Sequence, residues 1–298
     1  MLAIVGPTAS GKSALAVAVA QRLSAYGRGA QVVGTDSMQA YVGMDIGTAT
    51  PTIADQGGVA HHMIDVWPAG HDLSVAEFQA AARAAIDVVS AGGDLPVVVG
   101  GSGLYVYAVL DDLRFPGTDP AVRARWDAEL DRVGPEALHA RLAERDPAAA
   151  AAILPSNGRR IVRALEVIEL TGEPFVAQLP DPVDVYDTVR VGLDIPRDVL
   201  DVRISSRVDA MFDAGFVDEV RALVTDGPLS RTAARALGYQ QVLALLAGDC
   251  DEAAARQATV DATRRFARRQ QRWFRRDRRI RWLPFDSETL VTDVATLL

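Results

Sequence analysis

Residues 6–13 carry the clearest chemical signal, because they read G-P-T-A-S-G-K-S and fit the G-x-x-x-x-G-K-S pattern of phosphate-binding loops. Backbone N–H groups of such a loop bind a di- or triphosphate, and the hydroxyl of its final serine, here Ser13, binds Mg²⁺. Lys12 is the only lysine beside 30 arginines, so this position requires an ammonium and not a guanidinium fork. The predicted phosphate-binding residues are Gly6, Pro7, Thr8, Ala9, Ser10, Gly11, Lys12 and Ser13.

An isolated acid, Asp36, follows the second predicted strand. Parallel strands deliver their carboxyl ends to one ligand crevice, so Asp36 should lie near the phosphate loop. Nucleotide-hydrolysing proteins with this loop usually carry a second apolar strand that ends in Asp, whereas the best such strand here, Val97–Val99, ends in glycine. Three roles for Asp36 are open from spacing alone: holding Mg²⁺, accepting a proton from a nucleophile, or capping the next helix.

The elements that position these residues alternate between strand and helix at both ends of the chain. This alternation predicts an α/β fold with a P-loop NTPase-like parallel sheet core flanked by helices. The predicted core elements are the strands Leu2–Val5, Gln31–Gly34, Leu95–Gly100 and Val189–Leu193 and the helices Lys12–Tyr26, Ser74–Ala91 and Asp201–Leu223.

Residues 114–187 carry helical signals only, which predicts an inserted all-helical domain. Pro120 and Pro135 each open a helix, Ala148–Ile153 continues one, and Arg159–Leu170 is amphipathic. The segments that bound the insertion contain proline: Phe115–Gly117 and Leu179–Pro182. We therefore expect a catalytic core of residues 1–113 and 188–298 and a helical insertion of residues 114–187.

The composition is that of a globular protein, with 298 residues of which 49% are hydrophobic. We expect a cytoplasmic protein without membrane contact, because no apolar run reaches a membrane span and the first residues lead directly into the phosphate loop. A single cysteine, Cys250, excludes an internal disulfide and a cysteine-based zinc site. The four histidines form no metal-binding pattern.

The net charge of -8 argues against nucleic-acid binding, but the charge is unevenly distributed. The segment Arg256–Arg281 contains 11 arginines against two aspartates, a local excess of nine positive charges. Phe266, Trp273 and Phe274 recur near heptad spacing, which predicts a helix with one apolar stripe and arginines over the remainder. Such a surface favours contact with a phosphate backbone; the alternative is a solvated face that balances the acidic body.

Several segments together resemble the bacterial tRNA dimethylallyltransferase family, also called tRNA isopentenyltransferases. The most specific is Gly43–Ala49, which reads G-M-D-I-G-T-A. The other matching segments are Gly6–Ser13, Asp36–Gln39, Val99–Tyr105, Asp119–Arg123, Arg163–Val167, Gly172–Pro174, Gly215–Val220, Ala236–Gln240 and Thr263–Trp273. The resemblance covers nearly the whole chain.

The resemblance implies a monomeric enzyme that transfers a dimethylallyl group from dimethylallyl diphosphate to the exocyclic N6 amine of the tRNA adenosine 3′ to the anticodon. Mg²⁺ is the implied cofactor. Asp36 is the implied general base, and Lys12 and Ser102 are the other implied catalytic residues. A diphosphate-binding arginine is implied on the helix that carries Arg203 and Arg207, and we favour Arg207. A prenyl diphosphate in the loop also explains why no strand-ending Asp is needed.

The resemblance further implies that the helical insertion grips the anticodon loop and that the target base enters a pocket beside Asp36. The residues implied to contact tRNA are Asp36, Ser37, Met38, Gln39, Ser102, Arg123, Arg159, Arg160, Ile161, Val162, Arg163, Arg235, Ala236, Leu237, Gly238, Tyr239 and Gln240. Two other functions share parts of the pattern: a P-loop small-molecule or nucleotide kinase, and a non-catalytic RNA-binding protein with a vestigial loop. The intact Lys12, Ser13 and Asp36 argue against the second.

Overall fold

The computed structural model describes residues 1–176 and 181–298. The strands of the described residues are β1 (Leu2–Val5), β2 (Ala30–Gly34), β3 (His61–His62), β4 (Leu95–Gly100), β5 (Val189–Asp194) and β6 (Ile280–Pro284). They form a 6-stranded sheet in the order β3-β2-β4-β1-β5-β6, and every neighbouring pair is parallel. The predicted parallel α/β core is therefore confirmed.

Helices cover both faces of this sheet, which is why β1 and β4 are continuous apolar runs. Leu2 and Ile4 of β1 pack into one apolar cluster, and Ala3 and Val5 pack into another. The helices are α1 (Lys12–Ala25), α2 (Ile53–Gln56), α3 (Val75–Ala91), α4 (Gly103–Leu110), α5 (Pro120–Val133), α6 (Pro135–Arg145), α7 (Pro147–Ala152), α8 (Gly158–Thr171), α9 (Arg197–Asp213), α10 (Phe216–Asp226), α11 (Arg231–Ala234), α12 (Tyr239–Leu246), α13 (Glu252–Phe274) and α14 (Leu290–Ala295). Among the described residues, no helix combines the length and the apolar character needed to cross a membrane.

The chain divides into a core, residues 1–111 and 184–298, and a helical unit, residues 112–183. The helical unit holds α5 to α8 around its own apolar centre, which includes Trp126, Leu142 and Leu165. Its bounds lie two and four residues before the predicted 114 and 187, because Asp111 and Asp184 form a β-bridge within the core. The predicted boundary segment Leu179–Pro182 lies partly outside the described residues.

The structure corrects several predicted elements. The single helix predicted over Asp201–Leu223 is two helices, α9 and α10, because Gly215 adopts a left-handed backbone with φ of 97° between them. The alanine run is a helix of its own, α7, which Asp146 caps. The arginine-rich helix ends at Phe274, and the arginines beyond it lie in a turn and in β6. Neither the two-residue β3 nor the partly exposed β6 was predicted.

Candidate active site

The phosphate loop joins β1 to α1 and has the backbone geometry that its glycines allow. Gly6 and Gly11 have φ values of 148° and 101°, and Ala9 between them has a φ of 62°. Because α1 begins at Lys12, the unpaired N–H groups of its first turn lie at the loop. The Lys12 Nζ donates to the carbonyl of Pro7 at 2.6 Å, so the lysine folds back over the loop. This arrangement can bind phosphate oxygens with N–H groups and one ammonium.

Lys12, Asp36 and Arg207 form one charged cluster in the core. Burial, followed by the charge of Arg207, lowers the pKa of Lys12 to about 7 against the opposing charge of Asp36. Burial also lowers the pKa of Arg207, and Asp36 again opposes the shift. Two cations beside one carboxylate give the cluster a net positive charge when Lys12 is protonated. Such a site suits a diphosphate, whose binding would restore the proton to the lysine.

Replacing Lys12 by Arg should weaken binding of inorganic diphosphate about tenfold at neutral pH and flatten its pH dependence. Wild-type affinity should fall as the pH rises through about 7, because the neutral amine must then take up a proton on binding. The guanidinium stays charged over this range, but its planar fork does not match the position. Diphosphate affinities of both proteins, measured from about pH 6 to about pH 9, test this expectation.

Diphosphate ionises in the same way in both titrations. The difference between the pH curves of the two proteins therefore reports the ionisation of Lys12. Parallel curves would contradict the prediction and show that the lysine stays charged throughout. Equal affinities at every pH would contradict the requirement for a lysine at this position.

Asp36 and Ser102 lie at the edge of the sheet that carries the loop. Asp36 follows β2, Ser102 follows β4, and β4 lies between β2 and β1. The Oδ1 atom of Asp36 accepts the N–H of Met38 at 3.0 Å. The carboxylate therefore stabilises the turn of residues 37–40, whereas capping of a helix was one of the three roles that the sequence allowed. Ser102 immediately precedes α4. Among the described residues, its hydroxyl accepts no hydrogen bond from a backbone N–H of that helix.

Arg207 is the arginine of α9 whose charge couples to Lys12 and Asp36. Its Nη2 atom also donates to the carbonyl of Thr48 at 3.4 Å. Arg203 lies one turn earlier, with its guanidinium carbon 4.7 Å from the ring centre of Phe285. The electrostatic coupling favours Arg207, but Nη1 of Arg203 lies 4.0 Å from the ideal Cβ position of Gly11, so Arg203 also lies at the phosphate loop and the choice of Arg207 stays a prediction.

Glu219 of α10 organises the loop that follows Gly43. Its carboxylate accepts three consecutive backbone N–H groups, those of Asp45 at 3.0 Å, Ile46 at 2.5 Å and Gly47 at 3.2 Å. It also accepts the hydroxyl of Tyr239 at 2.6 Å. Burial, then the charge of Glu219, raises the pKa of Tyr239, so the phenol remains a donor. Sequence reasoning missed Glu219, because its backbone partners are 172 to 174 residues away.

The loop held by Glu219 in turn holds Gln39. The carbonyls of Thr48 and Ala49 each accept the Gln39 Nε2 at 3.2 Å. Two carbonyl partners fix the amide with its nitrogen toward the loop. Ser37, also a predicted tRNA contact, is buried and shares a hydrogen bond with the hydroxyl of Tyr105.

In the helical unit, the predicted tRNA contacts divide into buried and exposed residues. Ile161 and Val162 are both 0% exposed and pack in the apolar centre of the unit. Their predicted contact with tRNA stays a prediction, and in this structure both side chains are packed away from solvent. Arg159 and Arg160 are exposed at the start of α8.

Arg123 and Arg163 are tied within the helical unit. Both pair with the carboxylate of Glu166, which is 0% exposed, and the Arg163 bond measures 2.8 Å. Arg163 also donates to the backbone carbonyls of Pro116 and Gly117. To contact tRNA directly, Arg123 and Arg163 would have to give up these internal bonds.

The segment Arg235–Gln240 is similarly divided. Ala236, Gly238 and Tyr239 are buried, and Leu237 is partly buried. The predicted tRNA contacts of Ala236 and Tyr239 stay predictions; both side chains pack in the core, where Tyr239 donates to Glu219. Arg235 and Gln240 are exposed.

Several arginines of the segment Arg256–Arg281 form ion pairs within the protein. Arg256, Arg264, Arg275 and Arg279 have carboxylate partners. Within the described ranges, no such partner occurs for Arg265, Arg268, Arg269, Arg272, Arg276, Arg278 or Arg281. The buried stripe differs from the predicted aromatic one: Phe274 is buried, whereas Phe266 is partly exposed beneath the guanidinium of Arg269.

The residues of the phosphate loop fit Mg²⁺ shared with a bound diphosphate. In the described part of the chain, no group of three or more His, Cys, Asp or Glu side chains could hold a metal ion. Mg²⁺ commonly takes one or two protein oxygens and completes its shell with phosphate oxygens and water. The exposed Ser13 opens α1, and the buried Ser10 Oγ has no hydrogen-bond partner among the described residues. The loop therefore offers hydroxyl groups where a hydrated cation and its phosphate would bind.

Comparisons with known proteins agree with this geometry. The family model described as IPP transferase matches residues 39–277, and the model described as isopentenyl transferase matches residues 1–67. Together the two models span the phosphate loop, Asp36, Arg207 and most of the arginine-rich helix.

Individual relatives match over almost the full chain. The tRNA dimethylallyltransferase of Thermobifida fusca is 60% identical over 98% of this chain and 92% of its own length. That of Streptomyces coelicolor is 60% identical over 95% of this chain and 89% of its own. The crystal structure of the tRNA isopentenylpyrophosphate transferase of Bacillus halodurans is 38% identical, with a TM-score of 0.73 over 99% of this chain and 94% of that chain. The resemblance seen in the sequence is confirmed, and the chain belongs to the IPP transferase family.

Proposed function

We propose that this protein transfers a dimethylallyl group from dimethylallyl diphosphate to the N6 amine of the tRNA adenosine 3′ to the anticodon. The observation that carries the proposal is the cluster of Lys12, Asp36 and Arg207 at the phosphate loop. It sets a cationic site for a leaving group beside a carboxylate that can accept a proton. The names of the relatives, tRNA dimethylallyltransferase, support the same reaction. They do not favour the kinase alternative.

In the proposed reaction, the amine nitrogen bonds to the allylic carbon as the carbon–oxygen bond to diphosphate breaks. The electron pair of that bond leaves with the diphosphate, where loop N–H groups, Lys12 and Arg207 stabilise the added charge. The amine becomes acidic as its new bond forms, and Asp36 takes its proton. Ser13 would hold Mg²⁺, which supplies further neutralisation of the diphosphate when bound.

The decisive experiment is incubation of the protein with unmodified tRNA and labelled dimethylallyl diphosphate. We expect label in tRNA at the adenosine beside the anticodon, and no label with the Lys12→Ala variant. Transfer of labelled phosphate from ATP to a small acceptor, without prenyl transfer, would contradict the proposal. We further propose a cytoplasmic monomer, which light scattering with and without tRNA would test.

The helical unit of residues 112–183 is proposed to grip the anticodon loop, with exposed arginines of α8 and α13 contacting phosphates. Replacing Arg159 by Ala should weaken tRNA binding and reduce the log–log salt slope by roughly 0.7 to 0.9, while diphosphate affinity stays unchanged. Arg159 is exposed and has no ion-pair partner within residues 1–176 and 181–298. The measurement is tRNA affinity across a salt series.

Arg132→Ala is the matched control, because this exposed arginine of the same unit already pairs with Glu129. Its loss should leave the salt slope nearly unchanged. Arg268→Ala with Arg272→Ala applies the same test to α13, omitting Arg275 because it pairs with Asp194. Unchanged slopes in all variants would mean that these arginines are solvated faces, and the proposed RNA surface would be wrong.

A further inference from the structure

One uncharged side chain of the arginine-rich helix reaches the phosphate loop. Gln270 lies on the inner face of α13 and is only 5% exposed. Its Oε1 atom accepts the backbone N–H of Thr8 at 2.9 Å, across 262 residues of sequence. The Thr8 N–H is thus bonded to the helix and is not available to phosphate. This bond fixes the direction of the Thr8 N–H within the loop.

The other end of the same amide is enclosed by the turn that precedes α4. A Cβ atom at Gly101 would lie 2.6 Å from the Gln270 Nε2 and 3.1 Å from the carbonyl oxygen of Gly6. The first distance requires the amide to move and the second is tighter than most Cβ contacts, so a side chain at position 101 would displace the Gln270 amide. The amide therefore lies between two backbone segments, the phosphate loop and the Gly101 turn.

Trp273, three residues further along α13, makes an equivalent contact with Gly103. A Cβ atom at Gly103 would overlap the Trp273 indole ring. Residues three apart share a helix face, so one face of α13 contacts both glycines that flank Ser102. Gln270 thus contacts both the phosphate loop and the Ser102 turn, and Trp273 contacts that turn from the same helix face.

We infer that Gln270 is a positioning residue for diphosphate binding: it fixes the Thr8 N–H and keeps the phosphate loop in register with the Ser102 turn. The inference rests on the proposed function, which places diphosphate in the loop. A loop already in its binding conformation loses less entropy when the ligand binds. Without its acceptor, the partly buried Thr8 N–H would lose the bond that fixes its direction, and the loop would be free to turn.

The test is Gln270→Met, which keeps the side-chain volume and removes both polar atoms. We expect inorganic diphosphate with Mg²⁺ to bind about 10- to 100-fold more weakly, and the KM for dimethylallyl diphosphate to rise by a similar factor. The affinity for tRNA and the KM for tRNA should change by a smaller factor, because most of the proposed RNA contacts are arginines that Gln270 does not contact. Gln271→Met is the matched control, since its amide reaches only the Ile195 carbonyl at 3.5 Å.

A second variant, Gly101→Ala, reaches the same contact from the opposite side and leaves α13 unchanged. Its methyl group should displace the Gln270 amide and weaken diphosphate binding, and the double variant should be no weaker than the worse single variant. If Gln270→Met does not fold, Gly101→Ala alone decides. Wild-type affinity for diphosphate in both variants, or equal loss of diphosphate and tRNA binding, would overturn the inference. A wild-type protein that neither binds diphosphate nor prenylates tRNA would instead refute the proposed function.

Discussion

Replacing Asp36 by Asn should lower the rate of dimethylallyl transfer by about 10²- to 10⁴-fold and leave diphosphate binding nearly unchanged. Asparagine keeps the oxygen that accepts the Met38 N–H, so the turn after β2 is preserved. It removes the proton acceptor and the negative charge beside Lys12 and Arg207. The large effect on rate without an effect on binding follows because the proton leaves only as the new bond forms.

Single-turnover rates with saturating dimethylallyl diphosphate measure this step, and diphosphate affinity measures the ground state. Asp45→Asn is the matched control, since Asp45 is an exposed carboxylate in the neighbouring loop. Rates close to wild type would exclude Asp36 as the base. If Asp36 instead held Mg²⁺, the variant would bind diphosphate more weakly and added Mg²⁺ would restore part of the rate.

The phosphate loop could be predicted from sequence because its chemistry lies in consecutive residues. Gly6 and Gly11 act through backbone conformation, and Lys12 acts through a side chain that folds back onto the same loop, so a local pattern records all three. The sheet could be predicted for a similar reason, since buried parallel strands are short apolar runs separated by helices. The position of Asp36 followed from topology, because parallel strands end at one edge.

The rest depends on contacts between distant segments. The amphipathic pattern of Arg159–Leu170 already placed Ile161 on the inward face, whereas only packing shows that Tyr239 is fully buried. Glu219 reads as one acid among several on α10, and its bonds to a loop 172 residues earlier leave no local pattern. The break at Gly215 was missed because an isolated glycine inside a helical pattern is tolerated as often as it ends a helix.

The ion pairs around Arg190 of β5 also could not be predicted from the local sequence. Arg190 of β5 is 3% exposed and pairs with three carboxylates: Asp111 at 2.6 Å, Asp277 at 3.5 Å, and Asp184. Arg279 completes the network through Asp111 and Asp277. Asp111 and Asp184 are the core residues at which the chain leaves for the helical unit and returns from it. The network therefore links Asp111 to Asp184, the two core residues that flank the helical unit in the sequence.

Burial alone would raise the pKa of Asp277, but the hydrogen bonds and charge of Arg279 outweigh it and lower that pKa. The ionised Asp277 therefore contributes stability at neutral pH, and this contribution is lost as the pH falls through its pKa in the folded protein. A buried carboxylate of this kind depends on its cationic partners.

Replacing Arg190 by Met should destabilise the protein by about 3–5 kcal/mol at neutral pH, because the buried carboxylates of Asp111 and Asp277 lose one of the two arginines that they share. The difference from wild type should narrow as the pH falls, since protonated carboxyl groups of the network need no cationic partner. Denaturant unfolding at several pH values measures both effects. Arg197→Met is the control: its guanidinium is 65% exposed and 3.7 Å from Asp201, so its loss should cost less than about 1 kcal/mol. A loss of stability in Arg190→Met that is small, or independent of pH, would mean that apolar packing and not charge pairing holds Asp111 and Asp184 together.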